Sequence, residues 1–293
     1  MRKNGESEMK GQIIKESRDF TKEQVIALRQ SNYNMGASSE ELAQRDIIIE
    51  ELKKIEEQEN VKIIMAIESG SRAWGFESPD SDYDVRFIYA RRSEDYLKLE
   101  GIRDVIEWKL DDVLDINGWD IKKALQLLYK SNPTVFEWCS SPIVYYDSDE
   151  FEKLKEILPQ YFSQKKSLYH YLHMAETNYR EYLKGDEVRI KKYLYVLRPL
   201  LAAKWILDKK VAPPMLFDEL VEAELEDNLK EEVEKLLVLK KTLPEMGMAP
   251  KVQALNDYID KMLPEIKEAA EEIEGNVSEW DALNELFMEV IRK

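Results

Sequence analysis

The sequence predicts an α+β fold, a small mixed sheet with flanking helices followed by an all-helical domain. Three observations lead there. Short apolar runs rich in β-formers alternate with turn residues between positions 62 and 117. Helical periodicity takes over after about residue 150. Pro213-Pro214, Pro244 and Gly275 then punctuate the second half, as expected between helices.

Taken in order, residues 1–40 form a lead-in whose first 20 positions lack hydrophobic periodicity, with a helix expected over Lys22–Gln30. A longer helix is expected over Ser39–Gln58, with Ser39 as N-cap ahead of Glu41 and Leu42. Residues 41–150 read as an α/β domain. Its strands are Lys62–Ile67, Tyr83–Ala90, Asp104–Lys109 and Val113–Asn117, and its helix Asp120–Lys130 is closed by Ser131-Asn132-Pro133. Residues 151–293 read as the helical domain, with no strand signal. Its segments are His170–Lys184, Val188–Leu207, Leu216–Leu239, Lys251–Ala270 and Glu279–Ile291. The seam is expected near residues 147–165.

Composition narrows the function. Hydrophobic residues at 44% and charged residues at 35% describe a globular chain, not a disordered one. No apolar run approaches membrane-spanning length, and the first residues are too polar for a secretory signal. Cys139 is the single cysteine, so no intrachain disulfide and no cysteine-based zinc site can form. A cytoplasmic setting is expected. The net charge is −16, with 21 acids against 9 bases from Leu216 to Lys293. Lys165–Lys210 is basic instead, with 11 bases against 5 acids. That distribution argues against a general DNA-coating protein and leaves room for a local polyanion site.

The segment running from Ile67 to Arg86 carries the chemistry. Alternate side chains of a strand share a face, so Asp82 and Asp84 are expected to point the same way while Tyr83, Val85 and Phe87 enter the core. Neighbouring carboxylates repel, and a hard divalent cation offsets that cost. A pair of Mg²⁺ ions (or Mn²⁺) about 3.5–4 Å apart can clamp both oxygens of an in-line displacement at phosphorus. Upstream, a strand ending in Gly70-Ser71 lets backbone N–H groups approach a ligand closely. The Ser71 hydroxyl and the Arg72 guanidinium suit the β- and γ-phosphates of a nucleotide.

Gly70-Ser71, followed twelve positions later by Asp82-x-Asp84, resembles the signature of the DNA polymerase β-like nucleotidyltransferase superfamily. The longer string Gly-Ser-Arg-Ala-Trp-Gly-Phe…Ser-Asp-Tyr-Asp-Val-Arg is similar to the YcgL-type predicted nucleotidyltransferases, some relatives of which are linked to RNA-repair gene clusters. The likeness spans roughly residues 60–215, through Leu114–Leu125, Ser131–Pro133 and Lys191–Leu200.

The resemblance implies transfer of an NMP from an NTP, ATP among them, to a hydroxyl acceptor, with release of pyrophosphate. It implies a third catalytic and metal-binding carboxylate that supports acceptor deprotonation, assigned to Asp115 in the apolar frame Val113-Leu114-Asp115-Ile116. Asp120 is the rival, better explained as a helix N-cap, and Asp111 and Asp112 suit a turn. The resemblance also implies a cation brought by the helical half to the triphosphate, here Lys192 or Arg198, beside a kink at Pro199.

Blander readings stand beside these. Trp74 and Phe76 pack the loop, His170 and His173 pack or face solvent, and Lys191-Lys192 suits a ligand contact and a solvated face equally. The acceptor is an RNA end by preference, otherwise a protein or small molecule, and no membrane is involved. Two rivals remain. One is a non-catalytic nucleotide-binding or antitoxin-like module; the other is an interaction protein using its acidic helices.

Overall fold

The computed structural model describes residues 38–78, 80–111, 113–189, 191–242, 248–275 and 278–292, so the helix expected over Lys22–Gln30 lies outside it. Helix α1 (Ser39–Glu59) begins with a capping box one residue earlier than expected. The Glu41 N–H donates to Ser38 Oγ at 3.2 Å and the Ser38 N–H to Glu41 Oε2 at 2.7 Å, so Ser38 is the cap instead of Ser39. The chain divides into two compact units inside this helix, at Glu51 and Leu52, and everything below concerns the second.

Strand β1 (Lys62–Glu68) leads through the short turn α2 (Gly70–Ala73) to β2 (Tyr83–Ala90). A parallel partner for β2 needs a crossover. It is made by α3 (Ser93–Tyr96) and β3 (Val105–Leu110), which return the chain to β4 (Leu114–Asp120). After two helices comes the short β5 (Val144–Tyr146). The sheet order is β3-β4-β2-β1-β5, mixed as expected, with β2 and β4 parallel and the other pairs antiparallel. The β2–β4 register sets Asp84 against Asp115, and this places the site.

Two local sequences fix the sheet. Gly118 faces the Phe87 ring so closely that a Cβ there would meet a ring carbon at 2.3 Å, so a side chain is excluded. Asp120, just beyond, caps α4 (Ile121–Tyr129) by accepting from the Lys122 N–H at 2.8 Å, which bears out the N-cap reading. Ser131 takes a positive φ of 57°, and Asn132 then caps α5 (Pro133–Cys139), whose first residue is proline. Ser131-Asn132-Pro133 therefore ends one helix and opens another that the sequence reading left out.

Helix α6 (Asp149–Ile157) and a 3₁₀ turn (Leu158–Tyr161) precede the long α7 (Gln164–Tyr182). A two-stranded ribbon interrupts the all-helical expectation here. β6 (Glu187–Arg189) pairs with β7 (Met248–Pro250), and Val188 lies in the ribbon, not in a helix. Helix α8 (Lys191–Lys209) runs through Pro199. The segment expected as one helix over Leu216–Leu239 is two, α9 (Phe217–Glu224) and α10 (Asp227–Thr242), followed by α11 (Gln253–Glu272) and α12 (Asp281–Arg292). No helix among the described residues is long and apolar enough to cross a membrane.

Two apolar cores result. One joins Ile64, Ile67 and Ile88 of the sheet to α4, α5, α6 and, from the far end of the chain, Leu283, Leu286 and Val290 of α12. The other is built from α7 to α11 and includes Phe76, from the loop just after α2.

Candidate active site

The turn after β1 is shaped by one glycine. Gly70 has φ +60°, a conformation that favours glycine, and a Cβ on it would meet Asp84 Oδ2 at 1.9 Å. The adjacent Ser69 N–H donates to the Asp84 carbonyl at 2.8 Å, which fixes the two segments against each other. Gly70 is thus the residue that admits the Asp84 carboxylate to the turn.

The next two side chains are occupied within the loop. Ser71 is buried, its hydroxyl 3.2 Å from Ser81 Oγ, and Ser78 Oγ lies 2.9 Å from the same atom. Arg72 donates from Nη2 to the Ser81 carbonyl at 2.7 Å and from Nε to the Asp82 carbonyl at 3.2 Å, with its guanidinium 3.9 Å from the Tyr83 ring centre. Arg72 therefore pins the backbone that carries Asp82. Asp82 itself precedes β2 and is exposed, and Tyr83 is half-buried under Arg72 instead of lying in the core.

Asp84 and Asp115 come together as expected, and an arginine stands between them. Arg86 Nη2 donates to Asp84 Oδ1 at 2.9 Å and to Asp115 Oδ2 at 2.7 Å, while Nη1 donates to the Asp115 carbonyl at 2.8 Å and the Val85 carbonyl at 3.1 Å. The other oxygen of Asp115 accepts from Asn117 Nδ2 at 3.2 Å. Burial raises the pKa of Asp84; Arg86 opposes the rise, and repulsion from Asp82 and Asp115 adds to it. Among the described residues no three His, Cys, Asp or Glu side chains are arranged as a bare metal-holding group. The expected trio of Asp82, Asp84 and Asp115 is instead two carboxylates cross-linked by a guanidinium, with a third at the rim.

Glu68, the last residue of β1, belongs to the site and was not anticipated. It is fully buried, accepting from the Asp84 N–H at 2.8 Å on one oxygen and from the Tyr145 hydroxyl on the other. Burial pushes its pKa up to about 8 from an ordinary 4.5, against those two hydrogen bonds, which lower it. Between these values the folded chain holds a proton that the unfolded chain has released. Unfolding stability should therefore fall as pH rises from about 4.5 to about 8, by at most about 1.4 kcal/mol per pH unit, and level off above. Urea unfolding across that range should show the slope in the wild type and lose it in Glu68→Gln.

The cations expected from the helical half have partners within the chain. Arg198 is buried, donating to Glu137 Oε1 at 3.1 Å beneath the Trp74 ring, 4.3 Å from its centre. Lys192 sits over the Tyr182 and Tyr195 rings at 4.1 and 5.2 Å, and Lys204 binds Glu224 at 3.1 Å. Trp74 and Phe76 pack as the bland reading held, with ring centres 5.5 Å apart and Tyr195 edge-on to both. Lys240, buried 4.5 Å from the Phe76 ring centre, completes this wall and carried no signal in the sequence.

Comparison with known proteins agrees with the reading of the residues. A Bacillus subtilis (strain 168) protein named "Uncharacterized protein YcgL" is 45% identical over 249 residues, covering 84% of this chain and 96% of its own. A nucleotidyltransferase-like protein from Exiguobacterium sibiricum 255-15, known from its crystal structure, aligns over 84% of this chain and 80% of its own at 15% identity. Its TM-score is 0.29. Residues 44–289 match RlaP, the RNA repair pathway DNA polymerase beta family, and the chain belongs to that family.

Proposed function

We propose that this chain is a metal-dependent nucleotidyltransferase that moves an NMP from an NTP to a hydroxyl acceptor, an RNA end by preference. The observation that carries it is the pairing of Asp84 with Asp115 across β2 and β4, with Gly70 pressed against Asp84. Family membership supports a nucleotidyltransferase role in general, and the family's description favours RNA.

The acceptor oxygen attacks the α-phosphorus, the bond to the β-phosphate bridging oxygen breaks, and pyrophosphate leaves. The hard oxygen donors of Asp82 and of Asp84 Oδ2, the oxygen turned toward Gly70 and away from Arg86, suit Mg²⁺ or Mn²⁺. A divalent ion bound there would neutralise charge on the phosphates. Gly70 and Ser71 place the turn's backbone beside the phosphates, and Arg72 holds the Asp82 segment in position. Asp115 takes the acceptor's proton. Most of the rate would come from positioning and charge neutralisation.

The double variant Asp82→Asn, Asp84→Asn should fold and lose Mg²⁺-dependent pyrophosphate release. Labelled NTPs incubated with total cellular RNA should yield labelled RNA. No release from the wild type with any NTP and a broad acceptor panel overturns the reading. The cross-link by Arg86 also suits a non-catalytic nucleotide-binding module, which would bind NTP in the same assay and release no pyrophosphate.

A further inference from the structure

The inference concerns Arg86 and rests on the metal-dependent reading above. The position a cation would take between Asp84 and Asp115 is filled by the chain itself. Arg86 makes four hydrogen bonds there, two to carboxylate oxygens and two to backbone carbonyls, and its side chain is 15% exposed. The carbonyl bonds matter most, because they hold the guanidinium plane in place independently of either carboxylate. Each Asp115 oxygen already accepts one hydrogen bond, Oδ2 from Arg86 and Oδ1 from Asn117, which leaves each a second lone pair.

On the other side, Asp84 Oδ2 faces the Gly70 turn and Asp82 is exposed at the rim. Arg86 offsets part of the negative charge of the three carboxylates, and Arg72 lies against the Asp82 backbone. A second such ion between Asp84 and Asp115 would have to displace Arg86 from both carboxylates or sit against its positive charge.

We propose that Arg86 is a built-in cation in the place of a second metal ion, so that the chain binds one divalent ion, on the Asp82–Asp84 side next to Gly70. Arg86 is a positioning residue: it sets the two carboxylates and their field, and Asp115 holds it as much as it holds Asp115.

The test is Mn²⁺ alone titrated into the full chain, counted by electron paramagnetic resonance, with urea unfolding to verify each variant's fold. The wild type and Arg86→Lys should bind one ion per chain, and Arg86→Gln, which keeps a donor to the carbonyls and loses the charge, should bind two. Two ions on the wild type, or one on a folded Arg86→Gln, overturn the proposal. Should Arg86→Gln fail to fold, the wild-type count still decides, one ion supporting and two overturning. Two ions on the wild type leave the metal-dependent reading standing, whereas no ion on the wild type or any folded variant removes both.

Discussion

Gly70→Ala should slow pyrophosphate release on the order of 100-fold or more while leaving a folded protein. The new methyl group would fall 1.9 Å from Asp84 Oδ2 and 2.7 Å from its carboxyl carbon, at a residue whose φ is +60°. Strain at such a backbone position costs of order 1–3 kcal/mol. The carboxylate has little freedom to yield, because Oδ1 is held by Arg86 at 2.9 Å and the main chain is tied to Ser69 and Glu68. Displacing Asp84 by about 1 Å should lower the rate on the order of 100-fold or more. Ser71→Ala, which removes a hydroxyl but no backbone freedom, should do far less. A Gly70→Ala protein that retains activity within a few-fold of wild type would separate Asp84 from the chemistry.

Arg198→Met should destabilise the fold by about 3–5 kcal/mol, because it leaves Glu137 without its charge partner. The two side chains are 4% and 14% exposed, and the Tyr171 hydroxyl donates to the same Glu137 oxygen at 2.8 Å. Adding Glu137→Gln should recover most of the loss, since the uncompensated charge causes it and not the missing contact. Urea unfolding of the two single variants and the double variant gives the cycle. A role for Arg198 at the triphosphate as well would show as a raised KM for NTP in the folded double variant.

The carboxylate pair was legible because its determinants are local. A two-residue period sets a strand, a Gly-Ser turn ends one, and the apolar frame of Asp115 places it on another. The parallel register then confirmed Asp115 as the neighbour of Asp84. Glu68 and Arg86 were not legible. A glutamate at a strand end reads as solvated, and its partner Tyr145 lies 77 positions away. Arg86 alternates with core residues like any surface arginine until the crossover brings Asp115 beside it. The partners of Arg198 were hidden for the same reason, since Glu137 and Trp74 come from distant segments. The strands β5, β6 and β7 span three residues each, too few to show a period.

The last helix has a consequence for how the protein is made. Leu283, Leu286 and Val290 of α12 complete the core that begins with Ile64 on β1, more than 200 positions earlier. A ribosome therefore releases the sheet and its helices well before their apolar face can be covered. During that interval Leu128 and Phe151, fully shielded in the finished molecule, lack part of their cover. Nascent chains halted before residue 281 should engage chaperones and aggregate more readily than the completed protein.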